Sequence, residues 1–288
     1  MQLTPRYAGP PLLVLDLPLG DPSVPMVRQR RRLGAMLEGL TPAQWATPSR
    51  CEGWSVHDVV AHLEGVNRFW TASVLAGLRG EPTRFLASFD PVVTPALMVE
   101  AVRSLDPSEV LARFRDSVEA LAAAVDGLGA AGLAAVAEAP PGHVPIAAAV
   151  LHALWDGWIH ERDIALPLGV GPALDPEEIT DALVYVAALG PVFLATAGST
   201  RVGTLLVEAT DPDASFVVAA GTTITVRPAS GSGDPRDPPD ARLAGRAVDL
   251  VEALSFRAPF PAEAELPVDD DRWLLGGLAE VFETTAGR

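Results

Sequence analysis

Chemistry in this chain concentrates between Leu151 and Gly169, LHALWDGWIHERDIALPLG. Asp156 and His160 stand four residues apart there. On a helix both side chains leave one face, roughly 5–6 Å apart at Cβ. A carboxylate and an imidazole at that spacing suit one divalent cation. His152 falls one turn earlier on the same face, and Asp163 three residues beyond His160. The plainer alternative is a buried helix whose histidines only find hydrogen-bond partners. The stretch holds no proline before Pro167, and its Leu, Trp, Ile and Ala recur at helical spacing. A helix from Pro145 or Ile146 to about Leu166 is therefore expected.

A second histidine sits on another expected helix, Ser55 to Leu78. Ser55 with Asp58 three residues on is a capping-box pattern, so the helix starts there. Val59, His62, Val66 and Phe69 mark one stripe, which puts His62 among apolar neighbours. Ser23 to Leu40 is a further helix, with Val27, Leu33, Met36, Leu37 and Leu40 on its apolar stripe. The run Arg28 to Arg32 is expected largely to face solvent. A long helical region follows over Ala96 to Asp126, with a break near Asp106-Pro107. Gly127 to Pro145 reads as a small-residue loop. Asp175 caps a helix from Pro176 to about Ala197, with Pro191 as a kink or stop.

After Gly198 the period changes from 3.6 to 2. TLLVEAT, SFVVAAG, TITVRPA and ARLAG read as short strands, and GSGDPRDPP at 231–239 as a flexible loop. Val248 to Leu254 and Asp269 to Glu283 read as helices. An all-α part is thus followed by a small α+β part, with the boundary near 198–203.

The 288 residues are 49% apolar, with mean hydropathy +0.25, enough for a full core. No apolar run is expected to cross a membrane; Ile146 to Trp155 comes nearest, and it is short and holds His152. No basic segment precedes an apolar core at the N-terminus, so a cytoplasmic location is expected. The net charge of −16 repels phosphate backbones and argues against nucleic acid. Cys51 is the only cysteine, which excludes an intramolecular disulfide and any knuckle of several cysteines. Cys51 itself reads as a small residue in a turn, and His57 as exposed. No G-x-S-x-G or P-loop is present, and GLGAAG follows a helix rather than a strand.

Two stretches taken together carry more. PSRCEGWSVHDVVAHL at 48–63 and DGWIHERDIALPLG at 156–169 resemble the mycothiol-dependent maleylpyruvate isomerase family. Gly53, Trp54, Ser55, Val56, Asp58, Val60, His62, His160, Asp163, Ile164 and Gly169 match its pattern. GRAVDLVEALSFR at 245–257 and DDDRWLLGGLAEVF at 269–282 are similar to its C-terminal part, so the resemblance spans roughly 25–288. It implies a DinB-like helical bundle, so the chain is expected to be α+β: by its composition an irregular Pro-rich arm over 1–22, then the four-helix bundle over 23–200 and a small α+β domain over 201–288. It implies that His62, Asp156 and His160 hold a divalent metal, usually zinc. Two imidazoles and one carboxylate also suit iron or nickel. It further implies that mycothiol or another small thiol is cosubstrate, and that Arg257 reaches across to bind an anionic group. Arg246 competes for that role. The family usually has Glu where this chain has Asp156. Asp is one methylene shorter, so its backbone must approach the ion more closely or its carboxylate must bind through water.

The implied activity is a metal- and thiol-dependent isomerase or S-transferase acting on a small unsaturated carboxylic acid. A metal-dependent hydrolase or tailoring enzyme that uses no thiol is one alternative. A non-catalytic binding protein with a degenerate metal site is the other. The expected partners are a small-molecule substrate and a small thiol, with no nucleic acid and no membrane, in a monomer or homodimer.

Overall fold

The computed structural model describes residues 3–229, 238–261 and 272–286. The helical part runs α1 (Ser23–Glu38), a short α2 (Pro42–Trp45), α3 (Val56–Leu78), α4 (Val93–Glu100), α5 (Pro107–Val125), a short α6 (Gly129–Leu133) and α7 (Ile146–Ala165). Four of these close the bundle: α1 packs on α5 and α7, and α3 packs on the same two. Two of the long helices start where the sequence supplies a reason. Ser55 Oγ accepts the Asp58 backbone N–H, and the Asp58 carboxylate accepts the Ser55 N–H. Pro107 opens α5 at a position where a missing N–H costs nothing.

Two apolar clusters hold the bundle. Leu33, Leu37, Val59, Leu63, Phe114 and Ile164 pack the end near the α3 N-terminus. The larger cluster runs from Trp70, Leu151 and Leu154 through the next helix, α8 (Pro176–Thr196), into the C-terminal part. There β4 (Gly203–Thr210), β5 (Ala214–Ala220), β6 (Ile224–Pro228) and β7 (Ala241–Arg246) join α9 (Ala247–Leu254) and α10 (Trp273–Ala286). The five-stranded sheet has the order β1-β6-β5-β4-β7, where β1 is Leu13–Leu15. β4 pairs antiparallel with β5 and parallel with β7, so the sheet is mixed and the fold is α+β.

Several local readings change. Residues 1–22 were expected as an irregular arm, yet Leu13–Leu15 forms the parallel edge strand beside β6. Leu3, Leu12 and Leu13 are buried, because the arm gains its strand from the main chain of β6 and its burial from the larger core. The loop over 127–145 holds α6 and a hairpin, β2 (Val136–Ala139) with β3 (Gly142–Pro145). The break expected near Asp106-Pro107 is present: α4 ends at Glu100 and α5 begins at Pro107. α8 reaches Thr196, close to the expected end, so Pro191 does not stop it. α8 is also long and apolar enough to cross a membrane, contrary to the reading that no run is; 89% of its most apolar window is buried against protein. Most of the loop at 231–239, and the first residues of the expected closing helix at 269–271, lie outside the described residues.

α8 joins the halves: it packs on α7, α9 and α10. Its contact with α10 is close because glycines meet there. A Cβ on Gly277 would lie 2.7 Å from Leu194 Cδ1 and 3.0 Å from the Gly190 carbonyl carbon. Gly277→Ala should therefore lower stability by about 2 kcal/mol through overpacking, read as a shift in urea midpoint with the m-value unchanged.

Candidate metal centre

The three predicted ligands meet. His62 Nε2 on α3 lies 3.6 Å from Asp156 Oδ1, and His160 Nε2 lies 3.5 Å from the same oxygen. The two imidazole centroids are 5.0 Å apart, steeply inclined at 74°. One ligand atom from each residue lies within 4.8 Å of the other two. The side chains keep 8–13% of their surface accessible, so the cluster is nearly but not wholly closed. His62 Nδ1 and Asp156 Oδ2 are buried without a hydrogen-bond partner among the described residues. A buried carboxylate with a bare oxygen, between two imidazoles, is a donor set that a divalent cation would satisfy. Three protein ligands would leave a position for an exogenous one.

The orientation of His160 is set from behind. Its Nδ1–H donates to Asp163 Oδ2 at 3.0 Å, since a carboxylate only accepts. Nε2 then faces Asp156 and His62 as the nitrogen available to a cation, the carboxylate–histidine arrangement common in metal sites. Asp163 is fully buried and heavily partnered. It accepts Arg257 Nε at 3.0 Å on one oxygen, and Arg257 Nη2 at 3.0 Å and the Cys51 thiol at 3.2 Å on the other. Burial opposes ionisation of Asp163, but His160 and Arg257 outweigh it and hold its carboxyl well below the usual range. Asp156 behaves alike, its burial overcome by His62, His160 and Arg30. His62 is pulled below its ordinary value by desolvation. For His160 the desolvation is outweighed by Cys51, Asp163 and Asp156, which push it up to about 10.

Arg257 arrives from the other domain. The preceding Phe256 has φ 49°, a left-handed conformation that is strained for a bulky residue. The turn carries the guanidinium over the Phe256 ring and onto Asp163. Arg257 also borders a cleft of about 540 Å³ lined by Arg50, Arg162, Glu252 and Pro259. Arg246, its competitor, pairs with Asp211 on the exposed surface and takes no part in the cluster.

Arg30 is the largest departure from expectation. The arginine run was read as solvated, yet Arg30 is 0% exposed. It lies on the apolar stripe of α1, four residues after Met26 and three before Leu33, and that spacing was the missed signal. Its guanidinium enters the face of α7 at Gly157, where a Cβ would lie 1.1 Å from Nη1. Desolvation lowers it to about 10, which leaves it charged at neutral pH. Arg32, by contrast, reaches Glu161 and Glu178 at a half-buried edge.

The remaining candidates find other roles. His152 is not part of the three-residue cluster. Its Nδ1 pairs with the Tyr185 hydroxyl at 2.7 Å, among the rings of Trp70 and Trp155. Cys51 is half-buried and touches the back of the site rather than its ligand face, with Sγ 3.6 Å from His160 Nδ1. Trp54 packs on the His62 ring at 5.4 Å. His57 is held by the Leu105 carbonyl, and His143 by the Thr83 carbonyl.

Two outcomes follow from this geometry. Gly157→Ala should evict the Arg30 guanidinium and cost about 3 kcal/mol or more, seen as a collapse of the urea midpoint or loss of folded protein. The second outcome concerns pH. Desolvation pulls His152 down to about 4 in the folded protein, against about 6.5 when unfolded. The unfolded chain therefore binds the proton more tightly. This contribution is complete above pH ~6.5 and drains away as pH falls toward ~4, a loss of roughly 3 kcal/mol. Urea midpoints across that window should fall less in His152→Gln than in the wild type.

Residues 27–165 match the family described as the mycothiol maleylpyruvate isomerase N-terminal domain. Among curated proteins none matches this chain in sequence. In three dimensions the chain is similar to the crystal structure of the mycothiol-dependent maleylpyruvate isomerase. The TM-score is 0.58 at 18% identity, covering 84% of this chain and 90% of that one. It is similar also to a histidine-to-alanine mutant of that enzyme, with the same TM-score and coverage at 17% identity. These likenesses establish the fold. Residues 27–165 are thus similar in sequence to the mycothiol maleylpyruvate isomerase N-terminal domain, and the likeness in fold extends over most of the chain.

Proposed function

We propose that this protein is a cytoplasmic metal- and thiol-dependent isomerase, or a related S-transferase, acting on a small unsaturated carboxylic acid. The observation that carries the reading is the convergence of His62, Asp156 and His160 around one point, with Asp156 Oδ2 bare. Those three residues would hold the cation. Bound there, zinc or a similar ion would supply a Lewis acid that keeps a thiol sulfur as thiolate at neutral pH.

The chain's own groups would do the rest. Cys51 is engaged with Asp163 and Arg257 and faces the back of His160, which favours a nucleophile brought in by a cosubstrate. The thiolate of that cosubstrate adds to the activated double bond, and the bond's electron pair moves toward the carbonyl. Rotation about the resulting single bond and expulsion of the thiolate return the other geometric isomer. Asp163 keeps the His160 ring from turning. Arg257, at the edge of the cleft, would hold a substrate carboxylate, for which a fork of N–H donors is suited.

The test is turnover of a cis-unsaturated keto acid by metal-loaded protein in the presence of mycothiol or a simpler thiol. Isomerisation should require both the thiol and the metal. His160→Ala should lose bound metal by elemental analysis and lose turnover, with its far-ultraviolet helical signal retained. Absence of thiol-dependent turnover with every electrophilic acid tried would sink the reading.

A further inference from the structure

The reaction proposed above has no use for Arg30, yet the structure goes to some length to place it. Its Nε donates to Asn67 Oδ1 at 3.1 Å, Nη1 to Gln29 Oε1 at 2.8 Å, and Nη2 to the Ala153 carbonyl at 2.8 Å. All three acceptors are neutral. The nearest charge is Asp156, whose Oδ2 lies 3.9 Å from Nη2, within ion-pair range and beyond a hydrogen bond. An arginine free to turn would settle on that carboxylate with two hydrogen bonds. Here the slot at Gly157 and the three neutral acceptors prevent it. The carboxylate thus feels a full positive charge, while its Oδ2 makes no hydrogen bond.

The other acid near Arg30, Glu161, also attracts it but is held by other groups. Glu161 accepts from Gln29 and is answered by Arg32 through Nε and Nη2. His62 and His160 add nitrogen donors but no negative charge. The ligand set therefore presents one negative charge with one positive charge fixed behind it. A divalent cation entering this place meets nearly balanced surroundings, and like charges a few ångströms apart in a shielded interior repel strongly. An exogenous ligand that carries its own negative charge relieves the excess; a neutral one does not.

We propose that Arg30, seated in the Gly157 slot 3.9 Å from Asp156, is a positioning charge that loosens metal binding and makes the bound metal select an anionic ligand, thiolate or carboxylate, over a neutral one. The proposal rests on the metal reading above and deepens it by naming what sets ligand choice.

The test uses the full chain, stripped of metal and titrated with Co²⁺, then with thiocyanate as an anionic probe followed in the Co²⁺ absorption bands. Two variants cancel the charge in different ways. Arg30→Met removes it, and Asn67→Asp leaves the guanidinium and adds a carboxylate at its Nε. Both should bind Co²⁺ about tenfold more tightly than wild type and thiocyanate about tenfold more weakly. Folding is checked by the helical spectrum, and should Arg30→Met not fold, Asn67→Asp carries the comparison. Unchanged Co²⁺ affinity, or unchanged thiocyanate affinity, in a folded variant overturns the proposal. A wild type too weak to retain Co²⁺, beside variants that bind it, upholds the charge effect. No binding in any of the three overturns the proposal and the metal reading together. Failure of thiol-dependent turnover alone, with these affinities as expected, removes the reaction and leaves the role of Arg30 standing.

Discussion

Charge packed into one buried helix is the constraint behind this structure. Between Asp156 and Asp163, α7 carries Asp156, His160, Glu161, Arg162 and Asp163, and all but Asp156 and Arg162 are buried. A buried charge without a partner costs several kcal/mol. Each group must therefore be answered where it stands, and α7 cannot do this alone. The answers come from every side: Arg30 and Arg32 from α1, His62 from α3, Arg50 and Cys51 from the turn before α3, Glu252 and Arg257 from the C-terminal part. Satisfying one helix fixes the positions of four other segments.

The same requirement couples the two halves. Glu252 on α9 accepts from both Arg50 and Arg162. Trp155 Nε1 donates to Ser255 Oγ, one residue before the strained turn at Phe256. With Arg257 on Asp163, these contacts line the domain junction with ion pairs directly behind His160. Apolar burial around α8 supplies the adhesion, and the ionic contacts supply the register.

Much of this was legible beforehand. Capping at Ser55, the i,i+4 spacing of Asp156 and His160, and the placing of His62 on an apolar stripe are local patterns, and local patterns survive folding. The switch from helical to strand period after Gly198 belongs to the same class. The failures share a cause as well. Leu13–Leu15 is a strand only because β6 offers its main chain. The hairpin of β2 and β3 depends on pairing across the bundle's edge, where Ser73 and Glu138 exchange hydrogen bonds. Arg30 looked like a surface residue because its partners, Asn67, Ala153 and Gly157, are far away in sequence. Its place on the apolar stripe of α1 decides its burial, and position there outweighs chemical type. Asp163 matched a family pattern, but its work as the common acceptor for His160, Cys51 and Arg257 needed coordinates.

That Arg257 comes from beyond the bundle has a consequence for biogenesis. The four helices of the bundle, among them those that carry His62, Asp156 and His160, precede β7 and α9 in the chain and so are synthesised first. Until Arg257 docks, Asp163 has His160 but lacks the second of its two counter-charges. The hydrogen bonds that Asp163 accepts behind His160 are thus completed only in the final stage of assembly.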